Sequence, residues 1–115
     1  MSDVTIFHNP RCSKSRQALA LLEEAGITPT IRLYLEDAPH KQEIADLLVK
    51  LDMPLASLLR TGEALYKEHF GGVEDEEALL DLLAAYPKVL ERPIIVKGDR
   101  AVIGRPPEAL LPLIK

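Results

Sequence analysis

The chain contains one cysteine, Cys12, within a segment rich in small and basic residues. Residues 5–16 read Thr-Ile-Phe-His-Asn-Pro-Arg-Cys-Ser-Lys-Ser-Arg. The thiolate is the nucleophilic form of cysteine, and nearby cations together with a helix N-terminus favour it. A buried structural cysteine is the alternative, because free cysteine packs like a small hydrophobic residue. The polar residues after Cys12 suit an anion-binding site better than a core.

Three arginines stand where predicted elements begin or end. Arg60 closes a Leu-Leu-Arg sequence, Arg92 precedes Pro93, and Arg105 follows a glycine. A guanidinium stays charged and matches two oxygens of a tetrahedral oxyanion, so arginine suits such a ligand. Each arginine alone is an ordinary surface residue. Together they predict an oxyanion site only if the fold brings them to Cys12.

Metal and phosphatase chemistry fit the sequence poorly. His8 and Cys12 lack the third and fourth ligands of a zinc site. His40 and His69 show no ligand spacing with each other. A cysteine phosphatase needs an arginine six residues after its cysteine, and Ala18 occupies that position. We therefore predict no metal site and no phosphatase activity.

Composition restricts the class of protein. With 115 residues, 47% of them apolar, the chain is expected to form one domain over residues 1–115 without disulfides. A net charge of −4 argues against nucleic acid as a partner. We see neither a signal-peptide pattern nor an apolar stretch long enough to span a membrane. A soluble, cytoplasmic protein is the expectation.

The elements that must position Cys12 are predicted from apolar spacing and turn residues. Residues 4–8 predict a strand that Asn9-Pro10 ends, and a helix follows from Ser13 to a stop at Gly26. Residues 30–35 predict a second strand. A strand, helix and strand in this order predict two parallel strands.

The remaining elements complete an α/β arrangement. They are helices around 44–51, 54–59, 63–69 and 76–85, a hairpin of strands 93–97 and 100–103 that turns at Gly98-Asp99, and a last helix from Pro106-Pro107 through 114. This order predicts a thioredoxin-like fold with a small mixed four-stranded sheet. A helical insertion, roughly 38–90, would lie between strands 2 and 3.

Pro93 opens the first strand of the hairpin, a position that tolerates proline. In thioredoxin-like folds a cis-proline at this point faces the active cysteine. We therefore predict a cis Arg92–Pro93 bond, although few X–Pro bonds in folded proteins are cis.

Five segments resemble the glutaredoxin-coupled arsenate reductase family, the ArsC family. They are His-Asn-Pro-x-Cys-x-x-Ser-Arg at 8–16, Tyr-Leu-Glu at 34–36, Leu-Leu-Arg at 58–60, Glu-Arg-Pro-Ile at 91–94 and Arg-Pro at 105–106. The resemblance runs in order from about residue 4 to 114. It is nearest to arsenate-reductase-like homologues with a Cys-Ser-Lys-Ser-Arg loop. The best-known reductases carry Gly-Thr in place of Ser13-Lys14 and a small residue in place of Arg11.

The resemblance implies a role for individual residues. Cys12 would be the nucleophile that attacks arsenate and forms a thiol–arsenate adduct. The implied oxyanion-binding residues are Arg60, Arg92 and Arg105. The residues implied to favour the thiolate are His8, Ser15 and Arg16, and Pro93 is the implied cis-proline.

The resemblance also implies the source of electrons. Glutathione would attack the adduct, arsenite would leave, and glutaredoxin would resolve the mixed disulfide on Cys12. A single cysteine agrees with this scheme, because a two-electron reduction oxidises two thiols and the chain supplies one. No bound cofactor is expected, and glutathione would be a co-substrate.

Two other functions on the same fold remain open. A monothiol glutathione-linked oxidoreductase would need Cys12 but neither Arg60 nor Arg105. A non-enzymatic regulator like the Spx proteins, which bind RNA polymerase, is the third hypothesis. Those regulators commonly carry Cys-x-x-Cys, whereas Ser15 occupies the second position here.

Overall fold

The computed structural model describes residues 4–114, which divide into two compact units. Residues 4–34 and 92–114 form the first, here called the sheet unit, and residues 35–91 form the second, the helical unit. The helical unit corresponds to the insertion predicted over 38–90. No helix within 4–114 has the length and apolar character needed to cross a membrane.

Nine helices and strands of the described residues are labelled in chain order. They are β1 (Val4–Phe7), α1 (Ser13–Glu24), β2 (Thr30–Arg32), α2 (Lys41–Leu51), α3 (Ala64–His69), α4 (Glu76–Ala85), β3 (Ile94–Lys97), β4 (Arg100–Ile103) and α5 (Leu111–Ile114). Short 3-10 helices cover Leu55–Leu58, Pro87–Val89 and Pro107–Leu110.

The sheet unit contains one four-stranded mixed sheet with the order β2-β1-β3-β4. β1 pairs in parallel with β2 and antiparallel with β3, and β3 pairs antiparallel with β4. Phe7 at the end of β1 lies opposite Ile94 at the start of β3. The segment after β1 and the segment before β3 therefore leave the sheet at the same edge. The predicted thioredoxin-like fold, with its parallel first pair, is confirmed.

The hairpin returns the chain to that edge. Gly98 has a φ of +61°, a conformation that glycine adopts without steric cost, and it turns β3 into β4. Ile103 at the end of β4 then pairs with Ile94. Gly104 next donates its N–H to the Pro93 carbonyl at 2.8 Å. Residues on either side of the hairpin are thus neighbours.

Helix α1 packs on the sheet through one face. Its Ala18 and Leu22, four residues apart, are fully buried with Ile6 and Ile95 of the central strands. The helix ends in a Schellman motif, where Gly26 takes a φ of +79°. The predicted stop at this glycine is confirmed. Only five residues separate the end of β1 from Ser13, so the start of α1 lies near the end of that strand.

The helical unit is built on α2 and α4, which pack against each other. α2 begins with a capping box in which the Glu43 side chain accepts from the His40 N–H at 3.0 Å. At helical spacing α2 buries Ile44, Leu47 and Leu51. Lys41 also pairs with Glu77 and Asp81 of α4.

Some predicted bounds were wrong. The second strand ends at Arg32, not at residue 35, and buried Tyr34 lies in a turn instead. The helix predicted over 54–59 is a 3-10 helix over Leu55–Leu58, and the last helix begins as a 3-10 helix at Pro107. Both segments show the hydrogen bonds of a 3-10 helix, in which an N–H donates to the carbonyl three residues earlier. The Ser57 N–H donates to the Pro54 carbonyl at 3.0 Å, and the Ala109 N–H donates to the Pro106 carbonyl at 2.9 Å.

Candidate active site

Cys12 caps the N-terminus of α1, a helix of 12 residues. Its backbone is extended, with φ −92° and ψ 122°. The loop before it is fixed by Asn9, whose backbone carbonyl accepts from the Cys12 N–H at 3.0 Å and whose side-chain oxygen accepts from the Arg11 N–H at 3.0 Å. Asn9 is itself buried, so this turn places the sulfur at the positive end of the helix.

The partly exposed thiol has hydrogen-bond donors on several sides. Burial by itself raises the pKa of Cys12, but the Ser15 N–H, the Arg92 side chain and the Lys14 N–H beside the sulfur lower it. Their combined effect, with the charge of Arg92, holds the pKa of Cys12 below its ordinary value. The fold therefore favours the nucleophilic thiolate.

Two guanidinium groups lie at the sulfur. Arg105 Nη2 is 3.7 Å from Cys12 Sγ, although the two residues are 93 positions apart in the chain. Arg105 Nε donates to the backbone carbonyl of Arg92 at 2.7 Å. The Arg92 side chain donates to the same sulfur. The pairing of β1, β3 and β4 explains why Cys12, Arg92 and Arg105 lie together. Each belongs to a segment that continues from a strand end on the same side of the sheet.

Tyr34 lies beside Arg92 and is 1% exposed. Although burial acts to lower the pKa of the Arg92 guanidinium, the neighbouring Tyr34 and Cys12 side chains raise it above its ordinary value. In the sequence Tyr34 stands out only as part of the Tyr-Leu-Glu motif, with no role implied for it. Its position after β2, at the sheet edge where parallel β1 also ends, was the available signal.

His8 contacts Ser15 through a buried hydrogen bond. His8 Nδ1 lies 2.6 Å from Ser15 Oγ, and the Asn9 N–H donates to the same oxygen at 3.1 Å. Burial, followed by the charge of Arg16, lowers the pKa of His8. A neutral imidazole fits this geometry, since Nδ1 then accepts the Ser15 hydroxyl proton. His8 therefore fixes Ser15, whose backbone N–H is among the groups that lower the pKa of Cys12.

Arg16 braces the loop that carries Cys12. Its Nη1 donates to the Pro10 carbonyl at 2.8 Å, and the guanidinium is otherwise exposed. Arg16 thus holds the backbone of the loop two residues before Cys12.

Pro93 follows a cis peptide bond from Arg92, and Pro106 follows a second cis bond from Arg105. The first of these bonds was predicted to be cis, and the second was not. Gly104 packs closely over Pro93: a Cβ on Gly104 would lie 2.9 Å from Pro93 Cγ and 3.0 Å from Ile95 Cδ1. A glycine is needed there so that the chain before Arg105 can approach Pro93.

Arg60 belongs to the helical unit and has carboxylate partners there. Its Nε lies 3.5 Å from Glu91 Oε1 and 4.0 Å from Glu63 Oε1. Within the described residues its buried Nη1 has no hydrogen-bond partner. These groups line an open cavity of about 440 Å³. Neither glutamate was predicted as a partner of Arg60, although Glu91 belongs to the Glu-Arg-Pro-Ile motif.

A thiolate with two guanidiniums and a helix N-terminus can hold a tetrahedral anion and attack it. Arg92 and Arg105 offer forked donors to oxygen, and the N–H groups of α1 add to the positive potential. Within residues 4–114, no group of three His, Cys, Asp or Glu residues is placed to hold a metal ion.

A thioredoxin-like sheet with a reactive cysteine at the start of its first helix defines a class of thiol-based proteins. Within that class, the sequence profile of the ArsC family matches residues 7–113, and the chain belongs to the ArsC family. The resemblance found in the sequence is confirmed.

Similar proteins match along nearly their whole length. The uncharacterized protein YfgD of Escherichia coli K12 is 46% identical over 114 residues, 96% of each chain. The arsenate reductase of Neisseria meningitidis serogroup A is 44% identical over 113 residues, 94% of this chain and 95% of that protein. The structure of an arsenate reductase from Vibrio cholerae aligns with a TM-score of 0.91 and 43% identity, covering 95% of both chains.

Proposed function

We propose that this protein reduces arsenate to arsenite, with glutathione as co-substrate and glutaredoxin as the reductant of the resulting mixed disulfide. The observation that carries the proposal is the pair of guanidiniums, Arg92 and Arg105, at the sulfur of Cys12. Relatives that are named arsenate reductases support the choice of arsenate among tetrahedral oxyanions.

In the first step the Cys12 thiolate attacks arsenic. A sulfur–arsenic bond forms, an arsenate oxygen takes up a proton and leaves as water, and arsenic stays at oxidation state V. Arg92 and Arg105 hold oxygens of the oxyanion while charge moves onto them. The resemblance assigns Arg60 as a third oxyanion-binding residue.

In the second step a glutathione thiolate attacks the Cys12 sulfur. A disulfide forms, the sulfur–arsenic bond breaks, and its electron pair goes to arsenic, which leaves as arsenite at oxidation state III. Glutaredoxin then removes glutathione from Cys12 by thiol–disulfide exchange. Two thiols are oxidised for one arsenate reduced. A reducing cytoplasm suits this cycle.

The remaining residues prepare the thiolate. His8 and Ser15 fix the first turn of α1, whose Ser15 and Lys14 N–H groups lower the pKa of Cys12, and Arg16 holds the preceding loop. Pro93 lies between Arg92 and the start of β3.

A coupled assay tests the proposal. Arsenate, glutathione, glutaredoxin, glutathione reductase and NADPH are combined, and arsenate-dependent NADPH oxidation is followed with direct measurement of arsenite. We expect turnover that Cys12→Ser abolishes. If Cys12→Ser retains full turnover, Cys12 is not the nucleophile. If the wild-type protein produces no arsenite, the proposed function is wrong.

A monothiol glutathione-linked oxidoreductase is the second candidate. This activity needs Cys12 but not Arg60, and the ion pairs of Arg60 with Glu63 and Glu91 give that arginine a local role apart from oxyanion binding. The same assay with a glutathione mixed disulfide in place of arsenate separates the two. Turnover of the disulfide without turnover of arsenate supports this candidate, whereas activity in neither assay favours a Spx-like binding role.

A further inference from the structure

The loop and first turn around Cys12 carry exposed cations without acidic neighbours in sequence. Arg11, Lys14 and Arg16 are exposed, and no Asp or Glu occurs between residues 4 and 22. The first turn of α1 likewise has no acidic residue. This local positive charge stands out in a chain with a net charge of −4.

The cations divide by what their side chains contact. Arg92 and Arg105 donate to the Cys12 sulfur, and Arg16 is held by the Pro10 carbonyl. Arg11 and Lys14 form no ion pair within the part of the chain that the structure describes. Their charges are therefore free to act on a molecule that approaches Cys12.

The proposed reaction brings two anions to one sulfur in succession. The first is the oxyanion, for which Arg92 and Arg105 provide the inner donors. The second is the thiolate that attacks Cys12 once the adduct has formed. The inner guanidiniums are then occupied. Arg11 and Lys14 provide exposed positive charge on side chains that no other described group holds in place, whereas the charge of Arg16 stays fixed at the Pro10 carbonyl.

We propose that Arg11 and Lys14 form a cationic rim that selects a small thiol carrying carboxylates over neutral or cationic thiols. This inference rests on the proposed function and deepens it, since it gives two residues of the loop a role in choosing the reductant. The thiolate attacks the Cys12 sulfur, the sulfur–arsenic bond breaks, and its electron pair reduces arsenic from V to III.

The rim acts mainly on the rate of encounter. Exposed charges in water interact weakly and are screened beyond about 10 Å at 0.1 M salt. Such charges still raise the association rate of an oppositely charged partner, and added salt removes the effect. Selection by the rim must therefore be strong at low ionic strength and weak at high ionic strength.

Thiol exchange at Cys12 tests the rim without arsenate. Cys12 is converted to its 2-thiopyridyl disulfide, and the release of pyridine-2-thione is followed on adding glutathione, 2-mercaptoethanol or cysteamine. Rate constants are corrected for the thiolate fraction of each reagent. The test variant is Arg11→Gln with Lys14→Gln. The control, Lys97→Gln with Arg100→Gln, removes the same charge where β3 turns into β4, at the opposite end of the sheet.

We expect the wild-type protein to prefer glutathione over cysteamine by about tenfold at low ionic strength. The test variant should lose at least about threefold of that preference. The 2-mercaptoethanol thiolate, with a single negative charge, should be slowed less than glutathione, and cysteamine, whose thiolate form has no net charge, should react at a nearly unchanged rate. The control should match wild type. In about 0.5 M salt all three proteins should agree. The proposal is wrong if the test variant keeps the wild-type preference for glutathione over cysteamine. It is also wrong if the control variant loses this preference to the same extent.

Failure of the rim and failure of the proposed function give different results. The exchange assay measures charge selection at Cys12 alone, and the coupled assay measures arsenite. If arsenite is produced but thiols are not selected by charge, the role proposed for Arg11 and Lys14 is wrong and the proposed reductase activity stands. If thiols are selected by charge but no arsenite is produced, the reductase activity is wrong, and the cationic rim belongs to a thiol-exchange protein.

Discussion

At the scale of single residues, the site is organised around one sulfur and the groups that donate to it. Arg92 has the most direct side-chain effect on Cys12, because it both donates to the sulfur and carries a positive charge beside it. The guanidinium is charged at any working pH, and the Tyr34 and Cys12 side chains raise the pKa of Arg92 further. The thiolate and its guanidinium therefore stabilise each other.

Replacing Arg92 tests that mutual stabilisation. In Arg92→Ala the pKa of Cys12 should rise, because a donor and a charge are lost. Turnover of arsenate should fall by about 10²–10³, the usual cost of removing an oxyanion donor. The pH dependence of iodoacetamide alkylation gives the thiol pKa, and Arg100→Ala serves as the control. An unchanged alkylation profile would contradict the assignment.

Tyr34 is expected to position Arg92. Tyr34→Phe keeps the buried ring and removes the hydroxyl beside the guanidinium. We expect a higher KM for arsenate with a smaller change in kcat, because binding of the oxyanion depends on where Arg92 points. Circular dichroism and urea unfolding report the fold. A drop in stability with unchanged KM would show that the hydroxyl serves packing alone.

His8 gives the fold a pH dependence with a definite sign. Burial lowers the pKa of His8 in the folded chain, whereas an unfolded histidine titrates near 6.5. Between these two values the unfolded chain binds more protons. The stabilisation is therefore complete above about pH 6.5 and is lost as the pH falls below it. Urea unfolding of the wild-type protein should show a lower midpoint at pH 5.5 than at pH 7.5.

The matched comparison is between two histidine variants. His8→Gln should lose less stability on acidification than wild type, because the group that resists protonation is gone. His69→Gln changes an exposed ring and should retain the wild-type loss. Equal acid sensitivity in wild type and His8→Gln would show that other groups carry the pH dependence.

At the scale of elements, the site depends on the close approach of Gly104, which follows β4, to Pro93, which precedes β3. Gly104→Ala places a methyl group 2.9 Å from Pro93 Cγ and 3.0 Å from Ile95 Cδ1. Overpacking of this kind costs about 1–3 kcal/mol. Gly62→Ala is the control, since a Cβ there meets nothing within 4 Å. Equal free energies of unfolding for the two variants would contradict the close packing.

The same elements show what the sequence made predictable. Strand and helix order, the parallel first pair and the stops at Gly26 and Gly98 follow from apolar spacing and from glycines that turn the chain. The bond between His8 and Ser15 and the contact of Tyr34 with Arg92 do not, because they depend on which residues meet at a sheet edge. Periodicity places a residue on a face and leaves its partner unknown.

At the scale of the whole molecule, the three arginines that the sequence singled out fall in two different units. Arg92 and Arg105 lie with Cys12 in the sheet unit, and their contacts are direct. Arg60 lies in the helical unit, where Glu63 and Glu91 pair with it. Its oxyanion role rests on the resemblance to the ArsC family.

The variant Arg60→Ala distinguishes oxyanion binding by Arg60 from a role limited to its ion pairs within the helical unit. If Arg60 binds the oxyanion, arsenate turnover should fall by about 10², while the alkylation rate of Cys12 stays at the wild-type value because Arg60 is not among the groups that shift its pKa. Glu91→Gln removes one partner and should lower the KM for arsenate, since the guanidinium charge is then less balanced. Lower stability in both variants with unchanged kinetics would mean that Arg60 serves the helical unit, and that the oxyanion site consists of the two arginines at the sulfur.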